Sequence, residues 1–259
     1  MTYMNNTKTL VTLLGSGAPE GFPIILSPET TTAKQYESQL RPGLLVESGK
    51  TLLFDTSPDL REQLLHTGVK SLDGVFITHS HFDHMWGLPE LSQYCFLNKQ
   101  TFPIYGTSST VKTIAEHFLW LGLEIQELDY DKKYDFGSLE VVAHRVTHSE
   151  ILETAAFSIT NIDSDKNILY APDFKSFISQ PSESYEKAFV DGMYYFGDYV
   201  SDNDHLHESQ LQDEFDKINS KDFTLIGVSP WFYKKTKAEL QGQLPSNIEI
   251  PSDMQQWDI

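Results

Sequence analysis

The sequence predicts an α/β fold in which two mixed β-sheets pack face to face and helices cover their outer faces. Three observations support this fold class. Hydrophobic residues make up 39% of the 259 residues, which is enough apolar material for a full core. Short apolar strands and hairpins alternate with helical stripes, and no repeat or heptad pattern runs through the chain. No Pro/Gly/Ser-rich linker divides it, so we expect one domain over 1–259, with a core at about 10–230 and a C-terminal tail at 231–259.

In the first half of the chain, short apolar runs bounded by turn residues predict strands, and one helix has clear end signals. The predicted strands are 10–14, 44–47, 51–55 and 74–78. The second and third form a hairpin around Gly49. Ser57 is expected to cap a helix that starts at Pro58, because serine suits the N-cap and proline the first helical position. Gly68 is expected to end that helix.

The second half of the chain predicts further strands and helices in alternation. Strands are predicted around Ile104 and at 124–128, 139–146, 155–160, 167–171, 193–196 and 223–228. Apolar residues at helical spacing predict helices at 88–94, 111–118 and 211–218. This mixture of hairpins and helices is typical of sheets packed face to face with helices outside.

The charge balance argues against large polyanionic partners. The chain has 19 basic and 37 acidic side chains, so its formal net charge is 19 − 37 = −18. Such a charge repels duplex nucleic acid and anionic membrane surfaces at long range. Residues 151–220 alone carry 14 acidic and 4 basic side chains. We expect a small anionic substrate, no large nucleic acid and no membrane as partners, and the sequence leaves a homodimer open.

Cysteine usage and the N-terminus bear on localisation. Cys95 is the single cysteine, so no internal disulfide can form. The N-terminal segment lacks a basic region followed by an apolar run, and no apolar stretch is long enough to span a bilayer. The sequence therefore predicts a cytoplasmic protein.

One segment concentrates residues that bind metals. His79-Ser80-His81-Phe82-Asp83-His84 places four ligand-type side chains within six residues, directly after a predicted buried strand. Extended backbone directs His79 and His81 to the same side, where both can contact one ion, and the following turn can direct Asp83 and His84 toward a neighbouring ion. Imidazole and carboxylate together suit zinc, iron or manganese better than calcium. We expect one or two divalent ions, with zinc favoured.

The same segment carries a family resemblance. Thr78-His79-Ser80-His81-Phe82-Asp83-His84 resembles the HxHxDH signature of the metallo-β-lactamase fold superfamily, and the likeness runs from about Thr12 to Val228. The runs LLGSGAPEGFP and LLFDTSPDLREQLL, with Arg41, resemble the branch of phosphoribosyl cyclic phosphodiesterases. The pyrroloquinoline quinone biosynthesis protein B lies close to that branch. The resemblance implies a metallo-β-lactamase αββα sandwich.

The resemblance also implies further metal ligands. VTHSEILETAAFSI matches the segment in which the family places a third histidine, so it implies His148 as a ligand. ILYAPDF matches the segment of a carboxylate that bridges two ions, which implies Asp173. The implied ligand set is His79, His81, Asp83, His84, His148 and Asp173.

The sequence departs from the family pattern at its last ligand. The family places a final histidine after a late apolar strand, but here that stretch reads Thr224-Leu225-Ile226-Gly227-Val228-Ser229 and no histidine follows His207. His207 precedes the last predicted helix and could act as proton donor, as could His205. Asp198, Asp202 and Asp204 are candidates to replace the missing ligand.

The resemblance implies a hydrolase that uses a metal-activated water. A bound metal lowers the pKa of water to ~7 from ~15.7 in bulk, and the resulting hydroxide can attack phosphorus or a carbonyl carbon. The catalytic candidates are Asp83, which would orient that hydroxide, and His207. Arg41 is the first candidate to bind an anionic substrate.

We expect a hydrolase of a small cyclic phosphodiester. Two alternatives remain open: another hydrolase on the same scaffold, acting on a thioester, lactone or lactam, and a non-hydrolytic metal-binding protein of cofactor biosynthesis. A fold alone does not separate these activities.

Overall fold

Two β-sheets pack face to face in a computed structural model that describes residues 8–28, 34–197, 205–206 and 208–259. The first sheet has the strand order β15-β1-β2-β3-β4-β5-β6. Its strands are β1 (Leu10–Gly15), β2 (Gly43–Glu47), β3 (Thr51–Phe54), β4 (Gly74–Ile77), β5 (Pro103–Gly106), β6 (Glu124–Glu127) and β15 (Gln255–Asp258). Strands β1 to β3 are antiparallel, whereas β3 to β6 are parallel.

The second sheet has the order β11-β8-β9-β10-β12-β13-β14, and β7 also pairs with β8. Its strands are β7 (Lys133–Asp135), β8 (Leu139–Thr147), β9 (Thr154–Asn161), β10 (Lys166–Ala171), β11 (Ser176–Phe177), β12 (Tyr185–Asp191), β13 (Ser220–Ile226) and β14 (Ile248–Glu249). Strands β10, β12 and β13 are parallel neighbours, so their carboxyl ends lie at one edge.

Helices cover the outer faces of both sheets, as the sequence predicts. They are α1 (Leu60–Thr67), α2 (Phe82–Met85), α3 (Leu88–Asn98), α4 (Ser108–His117), a 3₁₀ turn (Leu119–Leu121), α5 (Glu208–Phe215) and α6 (Lys237–Gln241). One apolar cluster joins the first sheet to α1, α3 and α4, and another joins the second sheet to α5 and α6. The result is a four-layer αββα sandwich.

The central core lies between the two sheets. Strand alternation directs Leu52 and Phe54 into it, while Leu53 faces the helices. The ring of Phe54 stacks on Phe76 of the same sheet at 5.4 Å and contacts Phe157 of the opposite sheet at 5.6 Å. Aromatic pairs at these separations add to the free energy of area burial. The rigid sandwich holds the loops at its strand ends in place.

Helix α1 begins two residues later than the sequence predicts, and its predicted end is confirmed. The N-cap is Asp59, and the Ser57 hydroxyl accepts from the Asp59 amide at 3.2 Å and donates to Gln63. Ser57 therefore stabilises the turn before the helix. Gly68 ends the helix in the left-handed conformation, at φ 69°, and its amide bonds to the carbonyl of Leu64.

The predicted strand at 193–196 is wrong. Met193, Tyr195 and Phe196 lie in turns and Tyr194 forms only an isolated β-bridge, while the strand lies earlier, at Tyr185–Asp191. Lys187 hides this strand in the sequence because its charge interrupts the apolar run. In the fold its ammonium donates to Glu249 at 2.7 Å and lies 5.1 Å from the Trp257 ring centroid. Strand β12 is therefore a buried central strand with one neutralised cation.

The segment after Trp231 contributes to both sheets. Strand β14 pairs with β13, and β15 pairs with β1. Asp253, between β14 and β15, connects the two ends of the loop that joins β1 to β2, because its carboxylate accepts from the Ser16 amide and hydroxyl and from the Leu40 amide at 2.7–2.8 Å. In the described ranges, no helix has the length and apolar character needed to cross a membrane.

Candidate metal centre

The predicted histidine-rich segment forms a buried loop at the carboxyl end of β4. His79 and His84 are fully buried, and Asp83 is almost so. His81 has extended backbone, with φ −63° and ψ 150°, and precedes the short helix α2. This helix buries Asp83 and His84 while Phe82 and Trp86 stay exposed. The turn thus separates ligand-type side chains from apolar ones.

The second sheet supplies two more predicted ligands to the same point. His148 follows β8 and Asp173 follows β10, and these strands end at the same edge because both are antiparallel to β9. His79 Nε2 and His148 Nε2 each lie 3.5 Å from Asp173 Oδ2. His81 Nδ1 lies 2.8 Å from His79 Nε2 and 3.4 Å from His148 Nε2.

These contacts define two groups of donors. The four-donor group is His79, His81, His148 and Asp173, whose ligand atoms lie within 4.8 Å of one another. The three-donor group is Asp83, His84 and Asp173, whose ligand atoms also lie within 4.8 Å of one another. Asp173 belongs to both groups. Asp173 would therefore contribute to holding an ion in either group.

The donor chemistry fits metal binding. His84 Nε2 lies 3.2 Å from oxygens of both Asp83 and Asp173, yet this buried nitrogen has no hydrogen-bond partner among the described residues. A buried nitrogen directed at two carboxylates without an aligned hydrogen bond is well placed to bind a cation. Three imidazoles and one carboxylate match zinc preferences.

The pKa shifts of these residues run in opposite directions. Burial, and then the charge of His84, hold the pKa of His79 well below its usual value, so the ring is neutral and has a lone pair for a cation. Burial also lowers the pKa of His84, but Asp83, Asp173 and Asp55 outweigh it and raise that pKa well above its usual value. Burial raises the pKa of Asp173. The neighbouring His84 and His148 lower it by more, so the pKa of Asp173 lies well below its usual value.

Asp55 is a functional candidate that the sequence reasoning missed. Fully buried at the end of β3, it accepts a hydrogen bond from His84 Nδ1 at 2.7 Å. The same carboxylate accepts from the Thr78 amide at 2.8 Å and from the Tyr170 hydroxyl at 3.0 Å. A carboxylate behind a ligating histidine fixes the ring and its tautomer. Its position as the last residue of the predicted strand 51–55 is the signal that could have found it.

Asp191 and His205 form a further pair beside the four-donor group. His205 Nδ1 lies 2.7 Å from Asp191 Oδ2, and its ring centroid lies 5.1 Å from that of His148. Asp191 ends β12 and was not predicted because that strand was misplaced. His207 lies outside the described residues, as do the alternative ligands Asp198, Asp202 and Asp204.

Arg41 is engaged away from the two donor groups. Its guanidinium donates to Asp59 at 2.8 Å and to the carbonyls of Pro19 and Glu20 at 3.1 and 3.3 Å. These bonds hold the loop after β1 against the start of α1. A role for Arg41 in substrate binding stays a prediction.

Comparison with solved structures shows the fold. A diphosphatase of the PhnP family superposes with a TM-score of 0.81 at 23% identity, covering 97% of this chain and 98% of that one. The short form of human tRNase Z superposes with a TM-score of 0.69 at 18% identity, covering 96% and 99%. Both likenesses extend over the whole sandwich, and a further neighbour is described as a metallo-β-lactamase fold protein.

Curated relatives match over part of their length. An octanoyltransferase of Porphyromonas gingivalis (strain ATCC BAA-308 / W83) is 26% identical over 234 residues, which are 84% of this chain and 45% of that protein. Ribonuclease Z of Geobacillus kaustophilus (strain HTA426) is 35% identical over 115 residues, 40% of this chain and 38% of that enzyme. The chain thus spans less than half the length of these relatives.

A match to a family model over most of the chain identifies the family. The family model described as beta-lactamase superfamily domain covers residues 50–226, which include β3 to β13 and every residue of both donor groups. The fold comparisons and this match agree with the predicted αββα architecture and its predicted superfamily. The chain belongs to the beta-lactamase superfamily and has the metallo-β-lactamase fold.

Proposed function

We propose that this protein is a metal-dependent phosphodiesterase that acts on a small phosphodiester, with a cyclic one favoured. The observation that carries the proposal is the pair of donor groups that share Asp173, with the Asp191–His205 pair beside them. Ions bound there, with zinc favoured and manganese or iron as alternatives, would supply an activated water and stabilise negative charge on the phosphate. The solved neighbours include a diphosphatase and a tRNase Z.

The protein's own residues have separable tasks in this proposal. His79, His81 and His148 would hold one ion, and Asp83 and His84 a second, with Asp173 between them. Asp83 would also orient the attacking water. The Asp191 carboxylate lies 2.7 Å from His205 Nδ1 and orients the ring, which would donate a proton to the leaving-group oxygen. His205 thereby takes the role for which His207 was also a candidate.

The charge of the molecule supports a small substrate. With a net charge of −18, long-range attraction of a large anion is absent, so the ions themselves would attract the phosphate. Half-exposed Phe82 and Trp86 flank the buried ligands on α2 and offer an apolar surface to the organic part of the substrate.

Turnover of bis(p-nitrophenyl) phosphate tests the proposal. We expect metal-dependent release of p-nitrophenol that His81→Ala and Asp173→Ala each reduce by at least about 100-fold, since both change a donor group. Glu116→Gln, an exposed acid on α4, is the matched control and should keep the wild-type rate. Failure of the loaded wild-type protein to cleave any phosphodiester in a panel would refute the proposal.

A thioester hydrolase is the second candidate function. The relative named octanoyltransferase is similar over 84% of this chain, and that name denotes transfer of an acyl group. The same ions could polarise a thioester carbonyl. Cleavage of octanoyl thioesters without phosphodiester turnover would favour this alternative.

A further inference from the structure

We propose that the two metal positions load unequally: the four-donor group holds one ion tightly, and the three-donor group holds a second ion weakly and exchangeably. The inference rests on metal binding, which the proposed function also needs, and is independent of the substrate. It follows from how the strand ends that meet at this edge supply their side chains.

The two groups differ in the number and type of donors. The four-donor group offers three imidazoles and one carboxylate. The three-donor group offers one imidazole and two carboxylates, and one of these, Asp173, is shared with the neighbouring ion. Fewer protein donors leave more coordination positions to water, and a second cation beside the first is opposed by charge repulsion. Both effects weaken the second site.

The three-donor group is nevertheless preformed. Its His84 ring is fixed by Asp55 through Nδ1, while the buried Nε2 has no hydrogen-bond partner in the described part of the chain and is directed at Asp83 and Asp173. An oriented but unbonded nitrogen between two carboxylates marks a cation position. Metal binding at this site is therefore weak because the site has few donors, and not because its ligands are out of position.

The neighbouring strand ends do not add a fourth donor among the described residues. Strands β10, β12 and β13 are parallel and end side by side. Asp191 is the last residue of β12, whereas Asp173 and Gly227 follow β10 and β13. The Asp191 carboxylate belongs to neither donor group, and its Oδ1 accepts from the Met193 amide at 2.9 Å and its Oδ2 from His205 at 2.7 Å.

Gly227 is the third of these strand ends. It has no side chain, and its φ of 81° lies in the left-handed region, where any other residue would be strained. Its amide also donates to the Ser16 carbonyl at 3.0 Å, which fixes the backbone there. The backbone conformation at this position therefore favours glycine, which has no side chain to bind a metal.

The donor types also predict which ions are preferred. The imidazole-rich four-donor group should favour zinc, whereas the carboxylate-rich three-donor group should accept manganese. A mixed zinc and manganese protein is therefore the expected product when both ions are offered.

Stepwise metal titration of the metal-free protein tests the inference. We expect Zn²⁺ titration against a chromophoric chelator to give two steps whose dissociation constants differ by at least about tenfold. Dialysis against a mild chelator should leave one zinc per chain by elemental analysis. Mn²⁺ added to that one-zinc protein should give one bound equivalent in its electron paramagnetic resonance signal.

Two variants assign the steps to the groups. Asp83→Asn should abolish the weak step and leave one tight zinc, whereas His148→Ala should weaken the tight step. Glu116→Gln is the control, and melting curves show whether each variant folds. Two ions of equal affinity in the wild-type protein, as a donor from outside the described ranges would produce, would overturn the inference. So would an unchanged weak step in Asp83→Asn. A correct metal pattern without phosphodiester turnover would refute the proposed function alone.

Discussion

At the scale of single residues, the site depends on carboxylates that orient histidines. Asp55 holds His84 and Asp191 holds His205, each at 2.7 Å. Neither acid belongs to the four-donor or three-donor group in the described part of the chain. Their effect on chemistry is therefore indirect, through the orientation of the imidazole that each one contacts. We regard both as positioning residues.

Replacing Asp55 by asparagine should weaken metal binding without removing a ligand. The Asp55→Asn substitution removes the negative charge that fixes the tautomer of His84, so we expect about 10–100-fold lower affinity for Mn²⁺ in the three-donor group. The measurement is the Mn²⁺ paramagnetic resonance titration of the one-zinc protein. Tyr170→Phe removes another bond to the same carboxylate, at 3.0 Å, and should have a much smaller effect. Equal effects of the two variants would show that Asp55 acts only through packing.

Replacing Asp191 by asparagine should slow turnover. The Asp191 carboxylate lies 2.7 Å from His205 Nδ1 and orients the ring as a proton donor. Without that carboxylate the ring loses this orientation, and kcat should fall by about 10²-fold. The number of tightly bound zinc ions should stay unchanged, which separates this role from metal binding. A parallel drop in zinc content would contradict it.

At the scale of elements, the strands that the sequence predicts correctly are those with a clear apolar pattern. The hairpin around Gly49 and strand β4 are visible because every inward position is apolar. Strand β12 is hidden because Lys187 is neutralised by Glu249, a residue 62 positions away. Local periodicity cannot show a charge pair of that kind. The same limit explains why Asp55, which meets His84 across 29 positions, was missed.

The loop that carries Asp253 should be sensitive to substitution. Its carboxylate satisfies two amides and a hydroxyl, so Asp253→Ala leaves buried donors unpaired and should cost about 1–3 kcal/mol of the free energy of unfolding. Chemical denaturation measures this change. Asp258→Ala, which removes only an exposed pair with Lys8, is the matched control and should cost at most about 1 kcal/mol. Similar costs for both variants would argue against the proposed link.

At the scale of the whole molecule, local pattern predicts the fold class and the histidine-rich segment, whereas the remaining two ligand candidates came from the family resemblance. The spacing of His79, His81, Asp83 and His84 is local and visible in six residues. His148 and Asp173 come from other strands, and only resemblance pointed to them. Their convergence needs both sheets in register, which no local pattern encodes. The family match over 50–226 supports the superfamily and leaves the substrate to experiment.

The net charge makes a prediction about RNA. Two comparison proteins are a ribonuclease Z and a tRNase Z, but this chain carries −18 and should not bind transfer RNA at physiological salt. Filter binding or fluorescence anisotropy with a labelled transfer RNA measures this. Ribonuclease Z serves as the positive control. Micromolar binding that weakens steeply with added salt would contradict the preference for a small substrate.

The pairing of β1 with β15 has a consequence for the order of folding. Thr9 and Ile259 exchange two backbone hydrogen bonds, so one edge of the first sheet joins residues 250 positions apart. At a synthesis rate of about 5–20 residues per second, β1 emerges from the ribosome roughly 12–50 s before its outer neighbour exists. During that interval its outer edge is open to wrong partners. A nascent chain of this protein should therefore need shielding by a chaperone until β15 is made.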